Sequence, residues 1–154
     1  MVKENVYPFI VEFESAVLNI SGWKLTAGRP YVTEIGALDQ GDVTSIVEIS
    51  GDIQGAVAIS INEGSAIEFA DIVTGTTHDR MDNEVEEVIA ELVNIFAGQA
   101  KKHFEKVAAV SISLPISMHN REFSRPLSDN NLRYICIPYQ FNGESKFVLS
   151  IAIK

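Results

Sequence analysis

With 154 residues, 46% of them hydrophobic and 21% charged, the chain is long enough for one domain with a sizeable core and too apolar to be disordered. A formal net charge of −9, with Lys101-Lys102 as the only adjacent basic pair, argues against nucleic acid as a partner. No apolar run approaches the ~20 residues that cross a bilayer, and MVKENVYPF lacks the basic start and apolar core of a signal peptide, so the expectation is a cytoplasmic protein with no membrane role.

Residues 5 to 20 carry Phe9, Ile10, Phe13, Val17 and Ile20 at helical spacing, with Asn5 as the expected cap, Pro8 near the start and Ser21-Gly22 at the end. Residues 23 to 42 have Gly, Pro and polar residues without sustained periodicity and read as an excursion holding one short strand. Val43 to Ser50 reads as a strand, then a turn at Ser50-Gly51-Asp52, then a cleanly alternating strand from Ile53 to Ile61. Ile53, Val57, Ile59 and Ile61 share one face of that strand. Gln54, Ala56, Ala58 and Ser60 share the other, and its small residues predict the close approach of a helix. A short helix is expected from Glu63 to Val73, stopped at Gly75.

The longest periodic stretch runs from Met81 to Glu105, with Asp82 as its N-cap and acidic residues behind it that suit the helix dipole. Val85, Val88, Ile89, Leu92, Val93, Phe96, Ala100 and Phe104 fall on one apolar face. Glu84, Glu87, Glu91, Asn94, Gly98, Lys102 and Glu105 fall on the opposite stripe. Glu91 and Asn94 are neighbours there, with roughly 5 to 6 Å between β-carbons. A carboxylate beside a carboxamide, one turn before a bare Gly98, is a small reactive or docking surface. On its own, Glu-x-x-Asn is common by chance, and a charged stripe is ordinarily a solvated face.

After this helix Val110, Ile112, Leu114 and Ile116 alternate with Ser111 and Ser113 as a third strand. A polar excursion follows, spanning 117 to 131. The clearest hairpin in the chain comes last: RYICIPYQF, the turn Asn142-Gly143, and a strand from Lys146 to Ile153 with Phe147, Leu149, Ile151 and Ile153 on one face. This order of elements predicts an α+β fold, an antiparallel sheet with helices packed on one face. There is no internal repeat, low-complexity segment or linker, so residues 1–154 are expected to form a single domain.

Other chemistry finds little support. The single Cys136 sits among strand residues, where an inert buried thiol is expected, and it gives neither a disulfide nor a Cys-based metal site. His78, His103 and His119 have no carboxylate or second histidine at metal-ligand spacing, and His103 reads as a hydrogen-bonded residue at the core edge. The chain has no nucleophile elbow, dinucleotide fingerprint or P-loop. The acidic cluster Asp82, Glu84, Glu86, Glu87 is assigned to the helix dipole, with calcium binding as the alternative. No metal is expected.

At the central helix, Asp82, Glu91-Leu92-Val93-Asn94 and Ala97-Gly98 resemble the motif of the CheC/CheX family of chemotaxis phosphatases. The strand-turn-strand SGDIQGAVAISI and the short helix after it are similar too. CheC-like members carry two such helices related by an internal repeat; this chain has one Glu-x-x-Asn and is most like the single-site CheX branch.

The resemblance implies a phosphatase that removes the aspartyl phosphate of a CheY-type response regulator. The substrate is already activated, so the enzyme mainly positions a water in line with the scissile bond. A carboxamide can do this because it both donates and accepts without titrating near neutral pH. Asn94 takes that role by resemblance, and Glu91 pairs with a lysine of the regulator and orients the docked helix. Asp82, Glu87, Ile95 and Gly98 are expected to contact the partner, Gly98 by leaving room for its backbone. No cofactor of its own is implied, and Mg²⁺ is expected on the regulator. CheX-like proteins are similar in forming homodimers through sheet edges, and Lys146 to Ile153 is the expected edge strand.

Glu84 and Glu87 depart from a neutral docking face and would oppose an acidic regulator site. The competing reading is a non-catalytic adaptor that binds a regulator or a flagellar-switch-type component through the same helix. A small-molecule binding domain has no supporting feature beyond the 117–131 excursion.

Overall fold

The computed structural model describes residues 3–34, 42–119, 122–124 and 126–154. In chain order the elements are α1 (Lys3–Ser21), β1 (Thr26–Ala27), β2 (Tyr31–Glu34), β3 (Val43–Gly51), β4 (Gly55–Ile61), α2 (Glu63–Thr74), α3 (Asn83–Lys102), β5 (Val110–Ile112), β6 (Ile116–His119), β7 (Glu122–Phe123), β8 (Arg133–Phe141) and β9 (Glu144–Ile153). Every strand pairing is antiparallel, in the order β1-β8-β9-β4-β3-β6-β7, with β2 also on β8 and β5 also on β3. The main core lies between the sheet and the helices, and the sheet's other face has a smaller core to which no helix residue contributes. This is the α+β arrangement expected, with the helices on one face.

The helices end where local chemistry stops them. Asn62 caps α2 by accepting from Ser65 N at 2.8 Å, and Gly75, in the left-handed region, returns its N–H to Asp71 O at 3.0 Å. Asp82 caps α3 by accepting from Val85 N at 2.9 Å. At α1 the expected cap fails: the helix already runs from Lys3, and Asn5 lies inside it. Pro8 lacks the N–H that would bond the carbonyl of residue 4 and crowds that carbonyl, but it stands close enough to the helix start for α1 to run through it.

Phe13 is the centre of the main core, fully buried, with ring centroids 5.3 Å from Phe96, 5.1 Å from Tyr139 and 5.5 Å from Phe147. It joins α1, α3 and the β8–β9 hairpin. That hairpin turns at Asn142 and Gly143 with φ of 53° and 79°, the mirror-image turn that Asn-Gly favours. Pro138 interrupts β8 without cost to the β8–β9 ladder. Its carbonyl accepts from Gly28 N at 2.7 Å, so its missing N–H also faces the gap where β1 ends and β2 has yet to begin.

The sequence reading needs correction in four further places. The excursion from 23 to 42 holds two short strands, β1 and β2, and its residues 35–41 lie outside the described residues. The third strand is broken in two. β5 pairs Ile112 with Ile49 and β6 pairs Ile116 with Ile46, a one-residue slip across Ser113-Leu114-Pro115. The slip turns Ile116 to the sheet face opposite Ile112 and leaves Leu114 79% exposed.

The small-residue face of β4 is not covered by a helix. Ala56 and Ala58 share their cluster with Ile46, Tyr134, Leu127 and Leu132, so large side chains of the sheet and of the 117–131 segment fill the space. Ser128 N anchors that segment by donating to Glu48 Oε2 at 2.7 Å. Residues 120, 121 and 125 of that segment lie outside the described residues. Finally, β9 is not an edge strand: it pairs with β8 on one side and β4 on the other. Ser150 and Ala152 are as buried as Leu149 and Ile151, the two-sided burial of an interior strand.

Candidate functional site

The candidate site is the outer face of α3. Val85, Ile89, Leu92, Val93, Phe96, Ala97 and Ala100 are buried, so the helix is held along its length against α1, α2 and the sheet. Ala97, absent from the apolar face assigned by periodicity, is fully buried as well. With the inner face locked, the outer stripe has a fixed direction. Glu84, Glu87 and Glu91 are exposed on it, Asn94 and Gly98 are half-buried, and Ile95 is 36% exposed at its border.

The helix therefore brings Glu87, Glu91, Asn94, Ile95 and Gly98 onto one surface, about 16 Å from Glu87 to Gly98 at 1.5 Å per residue. Among the described residues, neither the Glu91 carboxylate nor the Asn94 carboxamide makes a hydrogen bond or ion pair. Both are available to an outside group. Asp82 is differently placed: one of its carboxylate oxygens is engaged by the helix it caps. Gly98 is not required by internal packing, because a β-carbon there would meet nothing within 4 Å.

Beside this stripe lies a groove of about 300 Å³ between the end of α1, α2 and α3. Ile20, Phe69, Val73, Val88, Leu92 and Ile95 form its apolar lining, and Glu84, Glu87 and Glu91 stand around it. Sequence reading missed it because its walls come from three helices. The available signal was Val73, which continues the face of Ala66, Phe69 and Ala70 into the last turn of α2 yet stays 39% exposed.

Histidine reading also needs correction. His78 sits between two carboxylates, with Nδ1 2.7 Å from Asp71 of α2 and Nε2 2.9 Å from Glu84 of α3. Its backbone N–H also donates to Asp71 at 2.8 Å. The bond to Asp71, and then that to Glu84, raises the His78 pKa above its ordinary 6.5. The pair of bonds ties the end of α2 to the first turn of α3, so part of the acidic cluster serves that tie as well as the helix dipole. His103 is hydrogen-bonded as expected, to Glu12 at 3.3 Å, but it is exposed. Among the described residues no group of His, Cys, Asp and Glu could hold a metal ion. No helix among them is long and apolar enough to cross a membrane.

Comparison with known proteins gives the fold and the family of the chain. Among solved structures the chain is similar to a CheC-like superfamily protein from Shewanella sp. PV-4, at 20% identity and a TM-score of 0.83, over 100% of this chain and 99% of that one. It is also similar to the chemotaxis protein CheX from Vibrio vulnificus, at 19% identity and a TM-score of 0.80, over 98% and 99% of the two chains. A third is a chain of the CheX-CheY-BeF3-Mg²⁺ complex from Borrelia burgdorferi, at 21% identity and a TM-score of 0.77, over 97% of each. At these identities the likeness shows the fold. No curated protein matches the chain. The family profile described as "Chemotaxis phosphatase CheX" matches residues 43–140, which include the whole of α3 and more than half of the chain, and the protein therefore belongs to the CheX family.

Proposed function

We propose that this protein is a phosphatase of a CheY-type response regulator, and that the outer face of α3 is its active surface. The observation that carries the reading is the Glu91–Asn94 pair. In a CheX-family chain, a carboxylate and a carboxamide stand side by side on a helix locked from behind, with no partner among the described residues. Water attacks phosphorus, the acyl oxygen–phosphorus bond breaks, and the products are the free aspartate and inorganic phosphate. Asn94 holds the attacking water in line, accepting from it and donating to it. Glu91 pairs with a lysine of the regulator and fixes the angle of docking. Asp82, Glu87, Ile95 and Gly98 complete the contact. The Mg²⁺ that neutralises the phosphoryl oxygens belongs to the regulator.

The rigid inner face of α3 supports this reading, since in-line attack demands a fixed direction rather than a strong base. The remaining expectations accompany it: one CheX-like domain over residues 1–154, a cytoplasmic protein, and a homodimer through a sheet edge. Of the described strands, β1, β2, β5 and β7 each have a single partner strand and are available for such an edge, and β9 is not. The test is the lifetime of the phosphorylated regulator with and without this protein. A phosphatase shortens it catalytically, at protein concentrations far below the regulator's. A protein that binds the regulator and leaves the lifetime unchanged is an adaptor, and the phosphatase reading fails.

A further inference from the structure

The groove beside Glu91 has properties that the reaction itself does not require. Val73 and Ile95 on its walls are 39% and 36% exposed, so folding leaves part of the apolar lining in water. Its volume of about 300 Å³ suits a side chain or two rather than a helix or a large ligand. Around it, Glu84 is already bonded to His78, whereas Glu87 and Glu91 have no partner among the described residues. The apolar floor therefore has an uncompensated negative rim on the side nearest Asn94.

We propose that this groove is an anchoring pocket for the phosphorylated regulator, taking one apolar side chain of the partner that has a lysine or arginine beside it. The inference rests on the function proposed above and adds the feature that selects among regulators. Charge complementarity argues for this occupant. A basic residue next to the apolar anchor meets Glu87 while Glu91 engages its own lysine. A second copy of this chain, at a net charge of −9, would bring like charge to the same rim. A regulator with an acidic residue at that point would be rejected by the same two carboxylates.

The test uses CheY-type regulators from the same source, held in the phosphorylated form by Mg²⁺ and beryllofluoride for binding and phosphorylated with acetyl phosphate for turnover. Ile95→Asp and Val73→Asp are expected to weaken binding and raise KM by about 10- to 100-fold, the loss of one buried apolar side chain. Glu87→Lys is expected to weaken binding in a way that shrinks as salt is raised. Tyr7→Asp is the control, an exposed apolar residue about 20 Å from Ile20 along α1, and should bind as wild type does. If an aspartate variant melts early, Ile95→Ala and Val73→Ala carry the same test with a smaller expected loss. Wild-type affinity in the Ile95 and Val73 variants overturns the anchoring pocket and leaves the phosphatase reading standing. Failure of wild type to bind any regulator overturns both.

Discussion

Gly98 offers a test in which fold and function pull in opposite directions. It lies in the last third of α3, where glycine costs roughly 1 kcal/mol relative to alanine. Two structural needs could hold a glycine in place: a left-handed backbone, or a neighbour too close for a side chain. Gly98 has neither, since its backbone is helical and an added β-carbon would find open space out to 4 Å. Gly98→Ala should therefore stabilise the protein by about 0.5–1 kcal/mol. For a chain of this size that is a rise in Tm of about 2–4 °C per kcal/mol. Urea and thermal unfolding measure this directly. If the glycine is kept for the approach of a partner's backbone, the same variant raises KM for the regulator while unfolding later than wild type. A less stable Gly98→Ala would refute the argument that nothing inside the fold needs the glycine. A more stable variant with unchanged KM would refute its docking role.

Two further predictions concern how α3 is held. Asp82→Ala removes the acceptor for Val85 N and should cost about 1 kcal/mol in urea unfolding, with Asp82→Asn retaining most of the cap; an alanine variant as stable as wild type would show that the cap contributes nothing. For His78 the folded pKa is raised by its bonds to Asp71 and then Glu84, so its stabilisation is complete below 6.5 and is lost as pH rises through the raised value. The stability difference between wild type and His78→Gln should therefore be larger near pH ~6 than near pH ~9. A difference that grows with pH would contradict the assignment.

What could be read from the chain alone was what local chemistry determines. α3 was legible because its buried residues repeat at helical spacing and Asp82 precedes them at the capping position. The last hairpin was legible because Asn142-Gly143 is a turn with a mechanism. The Glu91–Asn94 pair followed, since two residues three apart on a helix need no tertiary information to be neighbours.

The misses are non-local. Alternation continues from Val110 to Ile116 on paper, but the partner strand fixes a bulge at Ser113-Leu114-Pro115 and reverses the faces. Whether β9 is an edge depends on β4, which lies far from it in sequence. His78 meets Asp71 and Glu84 only because the turn between α2 and α3 brings the two helix ends together. The groove needs Ile20, Val73 and Ile95 from three separate helices. Such features belong to the assembled fold, and no window of sequence contains them.

The central claim is that Asn94 contributes chemistry and not adhesion. The most direct measurement is kcat for Asn94→Ala at saturating phosphorylated regulator, set against its Kd for the beryllofluoride-held form. The account predicts a fall in kcat of about 100-fold or more with Kd near the wild-type value, because the water loses its positioning group while the docking face stays intact. A variant that keeps its kcat, or one whose whole defect lies in Kd, would contradict it.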